Sequence, residues 1–585
     1  MSADQTLAMR LTRLHNRLTA RLSTLSRPAT AFVSQPEPRS IGSFAKGRQL
    51  VAGNFLFAGY LVEASDKSIW DIAAPDPEFD DELHGFAWLD DLAAVGDPKT
   101  RGAAQAWLWE WIDRYGSGRG PGWTPDLTGR RMIRWISHAL FLLHGRDKAQ
   151  SDAFYRSLAQ QANFLGRRWP AALPGLPRFE ALTGLLYAGL TLEGMERHAE
   201  PAAKALAREC KSQVDAQGGI PTRNPEELLE VFTLLTWAAA ALHEVGQEPL
   251  EAHEAAIERI APTLRTLRHA DGSLARFHGG GKGLEGRLDA ALAASGVSER
   301  NPDGLSMGYA RLAAGRTTVI VDASVPPSGR ASGQAHASTL AFEMTSGRRP
   351  VIVNCGSGAS FGPEWRRAGR ATPSHSTLSL EGYSSARLGE ARARAEWLVD
   401  APTRVPIQIG HAPDGTRFEG GHDGYIKTHG LTHARVLELT FDGRGMVGED
   451  ALYAIEESDR RRLDQHLTDS KLQGVPFQLR FHLHPDVDAT IDMGGAAVSL
   501  ALKSGEMWIF RHDGRGTLTL EPSVYLEKGR LRPRASAQIV LSSHAVGYAT
   551  KLRWSLSKAQ DSGISLRDLN RDDPFQQAED SDRTE

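Results

Sequence analysis

Near residue 305 the hydrophobic period of the chain changes from helical to alternating, and this switch limits the fold more than any other feature. Upstream, apolar residues recur at three- and four-residue steps over 102–114, 127–145, 151–168, 180–193, 199–214, 225–244, 249–270 and 281–294. That is the spacing of amphipathic helices. Asn224-Pro225 ahead of Glu226 reads as an N-cap with proline at the first helical position. Long helices joined by short loops predict antiparallel pairs packed side by side. Downstream, Ala314-Gly315-Arg316 and Ser346-Gly347-Arg348 each separate two alternating runs, the mark of a hairpin. Further alternating stretches follow at 376–381, 394–399, 434–441, 476–484, 496–502, 506–511, 517–525, 537–542 and 550–556. So many short strands predict a large antiparallel β-sandwich, giving a multidomain α+β protein.

The N-terminus carries a second pattern. Leu7, Leu11, Leu14, Leu18, Leu22 and Leu25 fall at steps of four and three, with Arg10, Arg13, Arg17 and Arg21 between them. On a helix the leucines form one stripe flanked by arginines. Either the stripe docks on the protein itself, or it meets a membrane surface or a partner. Residues 1–30 contain no apolar h-region, so no export signal is expected and the chain reads as cytoplasmic. Residues 27–80, rich in Pro, Gly and Ser, read as a linker carrying a small hairpin or edge structure around 50–62. The expected units are 1–82, 83–300, 301–557 and a polar, disordered tail at 558–585.

The charge balance, 68 basic against 71 acidic residues, gives no reason to expect a nucleic-acid partner. Two cysteines, Cys210 and Cys355, exclude a disulfide scaffold and a Cys-rich metal site. No apolar run reaches the roughly 20 residues of a membrane span. Gly279-Gly280-Gly281-Lys282 lacks the spacing of a phosphate loop.

One stretch has a specific pattern: Gly333-Gln334-Ala335-His336, then Leu340-Ala341-Phe342-Glu343, Pro350 to Gly356, Trp365-Arg366-Arg367, Arg370 and Thr372-Pro373-Ser374-His375-Ser376-Thr377. With Gly421-His422-Asp423-Gly424-Tyr425, Gly448-Glu449-Asp450 and Arg480 to Pro485, it resembles the C-terminal domain of the heparinase II/III family over roughly 305–555. The resemblance implies an N-terminal α/α toroid (an incomplete helical barrel) followed by the β-sandwich. It also implies a polysaccharide lyase that cleaves a uronate-containing acidic polysaccharide by β-elimination, and a zinc ion in the sandwich. The family setting makes periplasm or cell envelope the alternative compartment.

Elimination needs the uronate carboxylate neutralised, a base for the C5 proton and an acid for the leaving oxygen. By the resemblance, His336 and His375 hold the metal with Asn354, which stands where the family has Asp. Two imidazoles and an amide are fewer than the four ligands of a structural zinc site, so two hydrogen-bonded histidines fastening adjacent loops is the other reading. On a regular strand Cys355 faces away from whatever Asn354 faces. His336 is also a catalytic candidate, and Gln334, at the position of a family histidine proposed to act in catalysis, cannot shuttle a proton but could bind substrate by donating a hydrogen bond. No Tyr follows Gly218-Gly219, where the family places its base; Arg223 and Asn224 are there. Arg178 could supply the neutralising charge, and Tyr425 could be base or acid, or a structural loop residue. Arg366 and Arg370 could hold carboxylate or sulfate, or bond loops. Trp123, after Gly120-Pro121-Gly122, could stack on a sugar, whereas Trp107 and Trp111 share a helix face and read as core. A non-catalytic or hydrolytic protein of this architecture that binds envelope or capsular polysaccharide is the competing expectation.

Overall fold

The computed structural model describes residues 7–34, 37–299, 304–389 and 396–559. The tail expected at 558–585 lies almost wholly outside them. The order is helical first, then sheet, as the change of period predicts. Helix α1 spans Leu7–Ser23, α2 Phe44–Val51, and strands β1 (Asn54–Phe57) and β2 (Tyr60–Glu63) form a hairpin. Then follow α3 (Pro77–Gly85), α4 (Trp88–Val95), α5 (Pro98–Tyr115), α6 (Pro125–Ser137), α7 (Ala139–Leu143) and α8 (Lys148–Arg168). The helical half closes with α9 (Leu176–Thr191), α10 (Ala199–Gln213), α11 (Pro225–Glu244), α12 (Glu251–Thr266) and α13 (Arg287–Ser295).

The helix expected over 127–145 is broken at His138, between α6 and α7. Asn224 caps α11 as expected, its side chain accepting from the Glu226 and Glu227 N–H groups. Helices α6 and α9 cross very closely because both carry glycine at the contact. A Cβ on Gly129 would lie 2.2 Å from the Glu180 carbonyl oxygen, and one on Gly184 2.5 Å from the Gly129 Cα. The 27–80 segment is more than a linker. Phe55, Phe57, Ile69, Trp70 and Phe79 are buried in the same hydrophobic core as the toroid helices.

The second half holds two large antiparallel sheets and one separate two-stranded pair. Its strands begin with β3 (Leu305–Ser306), β4 (Tyr309–Ala314), β5 (Thr317–Asp322), β6 (Phe342–Ser346) and β7 (Arg349–Val353). Helix α14 (Pro363–Gly369) precedes β8 (Leu378–Leu380), β9 (Arg387–Leu388) and β10 (Leu398–Asp400). Next come β11 (Ile407–Ala412), β12 (Gly415–Tyr425), β13 (Leu431–Thr440), β14 (Gly445–Tyr453) and β15 (Val475–Leu483). The remainder are β16 (Val487–Asp492), β17 (Ala497–Leu502), β18 (Met507–His512), β19 (Thr517–Tyr525), β20 (Arg534–Ala545) and β21 (Ala549–Lys558). One sheet runs β11-β12-β13-β14-β21-β18-β17-β16; the other runs β19-β20-β15-β7-β6-β5-β4-β3, with β8 paired to β15. Between them lie Phe342, Phe481, Phe510 and Trp554, among other buried apolar side chains. Both expected hairpins are present. Thr317 pairs with Ala314 around Gly315, and Arg349 with Ser346 around Gly347, each glycine at positive φ.

Helix α1 is docked, but by the face opposite its leucines. Asn16, Ala20 and Ser23 are buried against α8, where Arg168 Nε donates to Asn16 Oδ1 (2.7 Å) and Gln160 Nε2 to the Ala20 carbonyl (3.0 Å). Leu11, Leu14, Leu18 and Leu22 remain 49%, 52%, 46% and 59% exposed. At the other edge of the toroid, the β1–β2 turn meets the sandwich: a Cβ on Gly59 would lie 2.3 Å from the Ser360 carbonyl oxygen. No described helix is long and apolar enough to cross a membrane.

Candidate cleft between toroid and sandwich

The two histidines singled out by the sequence do meet. His336 follows the turn Gly329–Gly333, and His375 follows the turn Thr372–Ser374. His375 Nδ1 donates to the Ala371 carbonyl (2.9 Å), so its Nε2 lone pair accepts from His336 Nδ1–H at 3.0 Å. The His336 amide donates in turn to His278 Nδ1 (3.1 Å), which turns His278 Nε2–H toward Asp322 Oδ2 at 3.4 Å. Burial holds all three imidazoles below the usual histidine range, His375 down to about 4, so at neutral pH they are uncharged.

The donor set does not suit zinc. His375 has no nitrogen left to offer, since Nδ1 donates to the Ala371 carbonyl and Nε2 accepts from His336, so only Nε2 of His336 remains, and Asn354 Oδ1 accepts from the Ser376 N–H (2.9 Å). Cys355 Sγ lies beside His482 and Ser523 instead. Among the described residues no three His, Cys, Asp or Glu side chains form a group that could hold a metal ion. Two imidazoles and an amide fall short of a tetrahedral shell.

The other sequence candidates are placed as follows. Gln334 is exposed beside Gly279 of the toroid, on the same turn as His336. Arg370 is buried and bonds the Ala335 and Ser332 carbonyls, while also reaching the carbonyl and carboxylate of Glu396. Arg366 reaches Glu78 of α3 (3.4 Å) and Glu396 (3.4 Å). Tyr425 is fully buried in the sandwich core, its hydroxyl donating to the Leu378 carbonyl (3.1 Å), which leaves it no path to a sugar. Arg178 is spent inside the toroid on Glu209 (3.1 Å) and the Ala172 carbonyl (2.9 Å). Trp123 is 2% exposed, packed on Trp111 and Phe164, so its loop position does not make it a platform. Trp107 and Trp111 are core, as their shared helix face implies.

The sequence did not single out the residues that join the halves here. Arg223, just before α11, reaches from the toroid into the sandwich. Nε donates to the Met307 carbonyl (3.0 Å), Nη1 to Ser324 (3.3 Å) and Val325 (2.9 Å), and Nη2 to Gly308 (2.9 Å) and Asp322 Oδ1 (2.6 Å). Its guanidinium lies over the Tyr309 ring at 4.7 Å, and the Tyr309 hydroxyl donates back to the Arg223 carbonyl (2.5 Å). Arg223 and His278 both adopt left-handed backbone, φ 50° and 48°. A second joint is built on Arg276, which stacks on Tyr525 at 4.0 Å and bonds the Cys355 and Leu526 carbonyls. The available signal was only that Arg223 and Asn224 stand where a base was sought.

The toroid wall facing the sandwich is rich in carboxylates. Glu78, Asp80 and Asp126 lie around Asp81, which is itself exposed to solvent; the crowded protein around it and the Asp126 charge raise its carboxyl to about 6. Glu227 is likewise raised by burial, with Glu180 adding to it. From the sandwich, Lys528 extends to Glu226 (3.5 Å), near Glu230 and Glu82. The cations here thus bridge the two halves or answer neighbouring acids, as Arg130 answers Glu180 at 2.8 Å.

Residues 297–555 match the Heparinase II/III-like, C-terminal domain family. FtsZ-localized protein C of Caulobacter vibrioides (strain NA1000 / CB15N) is 32% identical over 548 residues, covering 92% of each chain. Among solved structures, heparinase III superposes with a TM-score of 0.66 at 14% identity, over 94% of this chain and 90% of that one. A mutant of the heparan sulfate lyase HepC from Pedobacter heparinus gives 0.58 at 15% identity, over 95% and 89%. These structures establish the toroid-plus-sandwich fold.

Proposed function

Starting from the fact that this chain belongs to the heparinase II/III-like family and is 32% identical to FtsZ-localized protein C, we propose that it is a non-catalytic member of that family. In this reading it localises with FtsZ, as its relative's name states for that protein, and uses the fold to bind envelope polysaccharide or a protein partner. The N-terminal helix adds a contact to a membrane surface or partner. The observation that carries the proposal is the fate of the catalytic positions. His336 is 2% exposed, its ring bonded to His375 and its backbone amide to His278, and the arginine near the expected base is spent on five acceptors across the domain joint. A base must reach the proton it removes, and none of these groups is free to do so. The carboxylate-rich wall also opposes the docking of a uronate, whose charge a lyase must neutralise.

A second reading, a polysaccharide lyase with an altered catalytic set, is favoured by one observation. Asp81, raised to about 6, has the character of a general acid at the cleft wall. One experiment separates the readings: purified chain is incubated with a panel of uronate polysaccharides while the ultraviolet absorbance of the unsaturated product is followed. A fluorescent fusion is imaged beside labelled FtsZ in parallel. No absorbance rise together with co-localisation is expected. A rise that Asp81→Asn abolishes would replace the non-catalytic reading with the lyase one.

A further inference from the structure

We propose that α1 is a pre-folded docking surface for an anionic lipid bilayer, engaged while the helix stays seated on the toroid; this rests on the reading of α1 as a membrane contact. Free amphipathic segments of this length are marginal helices in water and ordinarily fold as they bind. Here the helix is captured by its polar, small-residue face. Asn16 and Ala20 are held by Arg168 and Gln160 of α8, and the loop after α5 closes on its backbone, where a Cβ on Gly118 would lie 2.7 Å from the Arg21 nitrogen. The capture leaves the leucine stripe facing outward. Leu11, Leu14, Leu18 and Leu22 are each about half exposed, although a helix docked only for its own stability would bury that face.

The chemistry of the occupant follows from charge. Arg10, Arg13, Arg17 and Arg21 are exposed along the stripe, and Leu7–Ser23 contains no acidic residue. An apolar stripe edged by arginine suits the boundary between acyl chains and negatively charged headgroups, with the long side chains reaching outward to phosphate. A protein groove would need carboxylates on both flanks of an apolar floor to match it. Because the helix is fixed to α8, the bilayer meets one side of the toroid in one orientation.

The test uses the full chain, sedimented with vesicles of equal parts phosphatidylglycerol and phosphatidylcholine and with phosphatidylcholine alone. Amide hydrogen exchange of α1 is measured with and without vesicles. Expected are pelleting with the anionic vesicles only, weakening with salt, and a loss of roughly tenfold or more in the Leu14→Asp/Leu18→Asp variant with unchanged thermal unfolding. The α1 amides should be slow to exchange before lipid is added. Fast exchange that slows only on binding would overturn the pre-folded docking. Equal pelleting of the variant, or a concentration-dependent dimer dispersed by the same substitutions, would overturn the lipid surface itself. Loss of vesicle binding with FtsZ co-localisation intact would remove this inference alone; the converse would remove only the functional reading.

Discussion

Replacing Arg223 by methionine should weaken the joint between toroid and sandwich more than any surface change could. Arg223 is 8% exposed and Asp322 is fully buried, so the substitution strands a carboxylate whose other partners are His278 and the Ser338 hydroxyl. Burial would push the Asp322 carboxyl up, but Arg223 and then His278 hold it well below the usual range. Breaking a buried ion pair from one side costs about 3–5 kcal/mol, on the order of a hundredfold to a few thousandfold in the unfolding equilibrium. The assay is urea unfolding followed by tryptophan fluorescence, in a double-mutant cycle with Asp322→Asn. Wild type should unfold with the two cores coupled. Arg223→Met should split or advance the transition, and the double variant should recover about 1 kcal/mol or more of the loss. The sign of the pH effect is fixed. A carboxyl depressed in the folded state contributes stability above its unfolded value near 4 and loses it as pH falls below that, so the deficit of the variant should shrink in acid. A cost under about 1 kcal/mol at neutral pH, or strictly additive single substitutions, would refute the joint as an energetic feature.

Acid should destabilise the whole chain through its buried imidazoles. His375, His482 and His253 are lowered to about 4 by burial, whereas unfolded histidine titrates near 6.5. The unfolded state therefore binds protons first, and thermal unfolding temperatures should fall steadily between about pH 6.5 and about pH 4; a flat profile would contradict neutral, buried histidines. Zinc should be held at well below one ion per chain after dialysis, measured by atomic absorption, and a chelator should leave the melting temperature unchanged. Stoichiometric zinc lost in His336→Ala would mean that the His336–His375 bond opens to a metal.

Much of the fold was legible because it rests on local chemistry. Gly315 and Gly347 mark their hairpins through positive φ, and Asn224-Pro225 marks the start of α11 through capping. What escaped depends on which neighbour a side chain meets. The leucine period of α1 identified a face but not that Asn16, Ala20 and Ser23 would be the docked one. Trp123 sits in a loop that folds back into an aromatic cluster with Trp111, Trp135 and Phe164, and no local pattern encodes that return. The histidine pair was found from its motif, whereas Arg223 was noticed only as a missing tyrosine. Its five acceptors are mostly carbonyls about 84 to 102 positions away, a relation that residue types cannot express.

Among the contacts between toroid and sandwich are Arg223 with Asp322, Arg276 with Tyr525, and Gly59 with Ser360. Two rigid bodies pinned at one point can swivel freely, and pinned at two they can still turn about the connecting line. A third contact off that line removes the remaining degree of freedom. Contacts spread over Arg223, Arg276 and the β1–β2 turn therefore oppose a swivel of one half against the other, and the mouth between them keeps its gauge for as long as they hold.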